Sequence, residues 1–376
     1  QASTDTSDGR PYIPVMWGTD AVHGHSNVKG ATIFPHNIGL GAMREPELMR
    51  EIGRVTAAEM QVTGLDWTFA PTIAVVRDDR WGRTYESYGE DPQLVASYAP
   101  HILQGIQGVP GSADFLKGQH MLATVKHFLG DGGTVDGKDQ GDNQHTEAEL
   151  RDIHGTPYYS AIAAGARVVM ASYNSWFGEK MHGYRPMLND VLVNRMGFDG
   201  FVVGDWNGHG QLPGCSNQHC AAAFNAGVDI LMVPEDWKAL YQNTIADIKS
   251  GAIPQARLDD AVRRILRVKF RAGLFQQDPG RQAYKGQQQW IGHADHQALA
   301  DTHFGGDLGV QPADFRLQAG DGLLHRFKAL ARAGGQGGAA LDLFAGALQF
   351  GRVAIEQALQ FALQAHGDVF LLLAGL

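Results

Sequence analysis

The chain has 376 residues, 44% of them hydrophobic and 19% charged, with a formal net charge of −9. That length suffices for one large domain or one plus a smaller partner. The acidic balance, with no basic block to neutralise phosphates, argues against a nucleic-acid surface, and no run of about 18 apolar residues reads as a membrane span.

The chain starts at Gln1 without an initiator Met or a signal peptide, so it reads as processed or incomplete. From residue 12 to about 235, short apolar segments alternate with helical ones. Strands are expected at 13–18, 67–70, 122–128, 167–173, 200–205 and 228–233. Several are near-continuous apolar runs ending in a polar residue, the pattern of parallel strands buried on both faces. Between the first two, residues 45–63 carry Leu48, Met49, Ile52, Val55, Thr56 and Met60 at helical spacing. Pro46 stands near the start of that helix and Gly64 closes it. A later helix is expected from the stripe Leu258, Ala261, Val262, Ile265 and Leu266, with Arg263, Arg264 and Arg267 outside and Gly273 as the stop.

Cys215 and Cys220 lie five residues apart. That spacing allows a disulfide closing a small loop, which would suit an export compartment, and equally allows two reduced thiols. A zinc site recruiting His219 is disfavoured, because these residues do not make a tetrahedral set.

Repeated strand–helix units mean an α/β fold, either a barrel or a doubly wound sheet. The polar residues decide. Asp20, Lys126 with His127, Tyr173 and Asp205 each fall at or just past the C-terminal end of a separate expected strand. Such ends converge on one mouth in a (β/α)8 TIM-type barrel, whereas a dinucleotide-binding sheet would need a glycine fingerprint that is absent. The barrel is therefore the expected fold, over residues 1–275. Residues 276–300 read as an interdomain linker, the stretch 276–292 being Gln-, Gly- and Pro-containing without periodicity. Residues 301–376 contain no Ser, Asn, Tyr, Trp, Cys or Met, a low-complexity character that suggests a shifted reading frame or a foreign tail, in part helical (345–365), rather than a second evolved domain.

The chemistry concentrates at the strand ends. Gly200-Phe-Val-Val-Gly-Asp205-Trp206 delivers a carboxylate with an indole beside it. Retaining cleavage of a glycosidic bond needs a carboxylate that attacks the anomeric carbon and an acid for the leaving oxygen. Taken alone, such an Asp is more often a helix cap. It is joined by Val15-Met-Trp-Gly-Thr-Asp20-Ala-Val-His-Gly24, by the charged and aromatic run from Arg77 through Arg83 to Asp91, and by Thr124-Val-Lys126-His127-Phe-Leu-Gly-Asp131. A buried sugar needs each hydroxyl paired, and these charged side chains supply the partners.

These four segments resemble, in the same order, the signature blocks of glycoside hydrolase family 3, over about residues 12–300. The resemblance implies a retaining β-glucosidase or exo-β-glucanase that releases glucose from non-reducing ends, with Asp205 as nucleophile and no cofactor or metal. It implies that Asp20, Arg83, Lys126 and His127 hold the glucosyl hydroxyls, that Tyr173 lies close to the nucleophile, and that Trp206 flanks the sugar. Asp131 stands where the N-acetylglucosaminidase branch carries a histidine, which points to the glucosidase branch. In that branch the acid/base is a glutamate from a second, α/β sandwich domain, and family habit suggests a periplasmic or secreted protein. Relative to the family the first barrel strand is missing, and after residues 291–300 the likeness stops; Glu356 in the tail has no recognisable acid/base context. Loss of that acid would cost about 10²–10⁴ in rate on natural glucans.

Blander readings stand beside these. His23 and His25 lack an identifiable third metal ligand; His145, His154 and His182 read as surface or core residues. The glycines at 130–133 lack the Lys-Ser/Thr of a phosphate loop. Asp78, Asp79 and Arg80 read as a salt-bridged stretch supporting Arg83, with Glu86 and Glu90 behind it. Two other classes remain open at this point: a sugar-binding barrel without catalysis, and a metal-dependent barrel hydrolase.

Overall fold

The structure, a computed structural model, describes residues 9, 11–276 and 282–304. The expectations for the tail beyond residue 304 fall outside the described residues. The described residues belong to one compact unit.

Its strands are β1 (Gly18–Thr19), β2 (Trp67–Thr68), β3 (Val125–Phe128), β4 (Asp142–Asn143), β5 (Val168–Ala171), β6 (Ser175–Trp176), β7 (Glu179–Lys180) and β8 (Phe201–Val203). β1 pairs in parallel with β2, and β3, β5 and β8 form a parallel sheet in that order. Single parallel bridges, Trp67 to Leu122, Thr72 to Lys126 and Val203 to Ile230, extend the row at its joints. Within this row the strands follow chain order, as expected for repeated parallel strand–helix units, while β4, β6 and β7 form a separate small sheet. Among the described residues the row does not close into a barrel. The ladders are also shorter than the apolar runs that announced them. The run before Gly18 makes no ladder, with Ile13 and Val15 exposed, and 228–233 keeps only the bridge at Ile230.

Side chains alternate along the strands, so the row has two buried faces. Trp67, Leu122, Val168, Met170, Phe201 and Val203 pack together on one, with Met16, Phe69, Ile230 and Met232 against them. Val125, Val169, Ala171 and Val202 point the other way, into the core shared with the helices.

The helices are α1 (Asn37–Met43), α2 (Leu48–Val62), α3 (Pro92–Gln107), α4 (Glu147–Glu149), α5 (Thr156–Ala163), α6 (Ala221–Ala226), α7 (Trp237–Ser250), α8 (Gln255–Arg271) and α9 (Ala294–Phe304). α2 buries Leu48, Met49, Ile52, Val55 and Met60 and gives way at Gly64, which takes φ +82°. α3 starts where Asp91 accepts from the Gln93 amide at 2.9 Å, followed by Pro92 in the first turn. The two helices touch backbone to backbone: a Cβ on Gly105 would lie 2.2 Å from the Arg50 carbonyl oxygen.

α8 corrects an expectation. Arg264 and Arg267 do not face outward: Arg264 donates to the Gly200 carbonyl at 3.1 Å and Arg267 to that of Asp199 at 3.0 Å. These carbonyls lead into β8 and need donors, and a guanidinium fork supplies them. Val262, expected in the apolar stripe, is exposed instead, while Ala261 and Val268 are buried.

The segment read as a linker packs onto the unit where it is described. Tyr284, with Ala283, Trp290 and Ile291, covers Ala58 and Val62 of α2. Glu59, wholly buried, accepts from the Thr32 amide (2.8 Å) and hydroxyl (2.7 Å), from the Gly292 amide (3.1 Å) and from His296 Nδ1 (2.9 Å). Those donors complete the coordination of a carboxylate that would be costly to bury alone. No described helix is long and apolar enough to cross a membrane.

Candidate active site

The strand ends deliver their polar residues to one cluster. β1 runs into Asp20, whose Oδ1 accepts from Lys126 Nζ at 2.6 Å. Lys126 and His127 both belong to β3, and both are buried. Arg83 comes from the loop after residue 76. Its Nε and Nη2 donate to the two oxygens of Glu86 at 2.7 and 2.9 Å, and Nη2 also reaches His127 Nε2 at 3.0 Å. A guanidinium only donates, so Nε2 of His127 accepts and its proton sits on Nδ1, which donates to Asp131 Oδ2 at 2.9 Å. Asp205 follows β8, with Oδ2 3.7 Å from His127 Nε2 and its side chain 13% exposed. Asp20, Arg83, Lys126, His127 and Asp205 are therefore brought together.

Tyr173, just past β5, donates its hydroxyl to the Trp206 carbonyl, and the Trp206 amide donates to Asp205 Oδ1 at 2.7 Å. Burial, followed by the nearby Asp205 carboxylate, pushes the Tyr173 phenol above its ordinary value. The Trp206 ring lies open at 55% exposure. Beside the cluster opens a pocket of about 470 Å³ lined by Asp20, Arg83, Glu86, Lys126, His23 and Tyr85 among others. That size lies within the roughly 300–1,000 Å³ of small-molecule sites.

Glu86 is more than support at a distance. Burial opposes its ionisation, but the hydrogen bonds and charge of Arg83, with His127 and Lys126, outweigh burial and hold it at about 2. Thr72 donates a further hydrogen bond at 3.1 Å. Of the stretch expected to support Arg83, Arg80 pairs with Asp78 at 2.6 Å and with Asp136 at 3.1 Å on the surface.

Sequence reasoning did not foresee the roles of Asp131, which orients His127, or of His182, whose Nε2 lies 2.9 Å from the Asp205 amide nitrogen. Neither carries a periodic or spacing signal; Asp131 was marked only by its place in the Lys126–Gly133 block. His23 and His25 part company: His23 meets His36 at 2.7 Å, and His25 meets Thr63 Oγ1 at 2.9 Å. Among the described residues no group of three or more His, Cys, Asp or Glu is arranged to hold a metal.

Cys215 and Cys220 are bonded, with an S–S distance of 2.14 Å and Cα atoms 4.8 Å apart. The loop they close touches the stretch after Asp205, where His209 Nε2 donates to the Asn217 carbonyl at 3.0 Å.

Comparison with known proteins places the chain in a family. The description "Glycosyl hydrolase family 3 N terminal domain" matches residues 1–268. The chain is 33% identical over 278 residues to a lysosomal beta glucosidase of Dictyostelium discoideum, covering 71% of this chain and 34% of that one. It is 33% identical over 274 residues to a periplasmic beta-glucosidase of Salmonella typhimurium, with the same shares of each chain. The crystal structure of an exo-1,3/1,4-beta-glucanase from a Pseudoalteromonas species matches with a TM-score of 0.78 and 54% identity, covering 80% of this chain and 38% of that one. The chain thus spans about a third of the length of these two curated relatives. By the extent of the matched domain and the agreement of its relatives, the chain belongs to glycosyl hydrolase family 3 and carries that family's N-terminal domain.

Proposed function

We propose that this chain is the nucleophile-bearing part of a retaining β-glucosidase or exo-β-glucanase, acting at the non-reducing end of β-glucosides through Asp205. The observation that carries the reading is the 3.7 Å approach of Asp205 to His127 within a ring that ties Asp131, Arg83 and Glu86 together, with Lys126 and Asp20 adjoining. Two cations, Arg83 and Lys126, meet the carboxylates of Asp20, Glu86, Asp131 and Asp205 there. The excess of carboxylates suits a transition state that develops positive charge on the sugar ring.

In this reading Asp20, Lys126, His127 and Arg83 bind the glucosyl hydroxyls, and Trp206 presents an aromatic face to the ring. A carboxylate oxygen of Asp205 bonds to C1 as the C1–O bond breaks, and the leaving oxygen takes the bonding pair and a proton from an acid. Water then adds to C1, gives a proton to the resulting base, and frees the carboxylate. The acid/base is a glutamate of a second domain in the whole protein, outside the described residues. The chain-order parallel row and its two buried faces support completion of a (β/α)8 barrel in that protein. The Cys215–Cys220 bond and the periplasmic relative support an exported protein.

A 2-deoxy-2-fluoro-β-glucoside with a dinitrophenolate leaving group tests the nucleophile without needing the acid. Intact mass and peptide mapping should find one label, on Asp205. Asp205→Asn should take none and lose at least about 1,000-fold in turnover, some 4 kcal/mol of barrier. Label elsewhere, or none, would defeat the assignment. The chain alone should turn over activated aryl glucosides while hydrolysing laminaribiose about 10²–10⁴ more slowly than a form supplied with the second domain.

A further inference from the structure

The end of β7 and the turn after it hold the site from behind. Lys180 Nζ donates to the carbonyls of Tyr173 (2.8 Å) and Gln140 (3.1 Å) and to Gln211 Oε1 (3.0 Å). Two residues on, His182 is buried at 1% exposure, and its Nε2 meets the backbone nitrogen of Asp205 at 2.9 Å. A backbone N–H can only donate, so Nε2 is the acceptor and the ring proton sits on Nδ1, toward the Ser172 backbone. Burial lowers the imidazole to about 4 against the opposing effects of the Asp205 carboxylate and the Ser172 backbone, so the accepting neutral form persists at neutral pH.

The chain around Asp205 is shaped to this ring. A Cβ on Gly208 would fall 2.3 Å from His182 Nε2, so only glycine lets the stretch after Asp205 close over the imidazole. The Tyr173 ring lies 6.0 Å from it on another side. The Asp205 amide has left the strand ladder, which ends at Val203, so its orientation depends on what accepts from it.

We infer that His182 is a positioning residue: by accepting from the Asp205 amide it fixes the peptide from which the carboxylate is aimed at C1. The inference rests on the reading of Asp205 as nucleophile. Without the acceptor the peptide can turn, and a displacement of the order of 1 Å costs about 100-fold in rate.

The test measures covalent labelling of the whole 376-residue chain by 2,4-dinitrophenyl 2-deoxy-2-fluoro-β-glucoside, resolving the maximal rate from the binding constant. His182→Leu removes the acceptor, His182→Asn leaves it short of the Nε2 position, and His182→Gln brings an amide oxygen close to it. Leu and Asn should slow maximal labelling by about 10–100-fold with binding changed less than about threefold, and Gln should restore most of the rate. A role in packing alone would not separate Gln from Asn, two amides differing in reach, and that comparison stands even where the Leu variant fails to fold. Labelling of Asn at the wild-type rate, or of Gln no faster than Asn, overturns the inference. Absence of label on wild-type Asp205 would instead defeat the nucleophile assignment, and the role of His182 with it.

Discussion

The sugar-binding role proposed for Arg83 requires a guanidinium that is not free to swing. Glu86 takes two of its N–H groups in a fork and leaves Nη2 shared with His127, so the cation arrives already oriented. The same contact makes Glu86 an acid-sensitive point. Its folded-state value of about 2 lies below the ordinary 4.5, so its stabilisation is complete above 4.5 and is lost as pH falls towards 2. Replacement by Gln should lower stability at pH 7 by about 3 kcal/mol and flatten the pH dependence across that window. Urea unfolding at pH 7 and pH 3 on both proteins checks this; equal slopes with pH would show that Glu86 is not the group responsible. Asp20, Arg83, Lys126, His127 and Asp205 were readable because each stands at a strand end or in a charged run too dense for packing. His182 and Asp131 were not, since a histidine's partner is decided by which backbone the fold lays against it, and no spacing in the chain encodes that.

Among the elements, the contact of α2 with α3 depends on missing side chains as much as on present ones. Gly53 and Gly105 let the two backbones meet, and a Cβ at Gly105 would press on the Arg50 carbonyl. Gly105→Ala should therefore destabilise by about 1–3 kcal/mol despite alanine's better helix propensity. A thermal midpoint at or above that of the unmodified chain would mean that the helices yield freely. α8 shows why helical periodicity misled on one point. The stripe was counted from apolar residues, but Arg264 and Arg267 turn inward because the carbonyls leading into β8 require donors. The π-helical stretches Leu150–Gly155 and Pro186–Arg195 shift the side chains off the 3.6-residue repeat, which hides them from a periodicity reading.

At the scale of the molecule, burial of neutral histidines should set its behaviour in mild acid. His154 is lowered to about 3 and His182 to about 4, mainly by burial, against 6.5 when unfolded. Between those values the unfolded chain binds protons that the folded chain refuses, so the stability present above pH 6.5 is lost as pH falls. Each should contribute about 2 kcal/mol of loss by pH 5. Chemical denaturation at pH 7.5 and 5.0 should show the drop, and His154→Gln should remove about 2 kcal/mol of it; a flat profile would refute the account. The parallel order of the strands was legible because strands buried on both faces write near-continuous apolar runs. The packing of residues 283–291 was not, because Tyr284, Trp290 and Ile291 are too sparse to form a pattern until α2 lies beneath them.

Glu59 fixes where this protein can be cut and rejoined. Its oxygens draw on donors from residues 32, 292 and 296, so a chimera joined ahead of Gly292 would leave the His296 side-chain donor of this buried group to the other parent. Exchange of downstream halves between family members should therefore be made beyond His296, carrying the whole set of donors with the upstream parent.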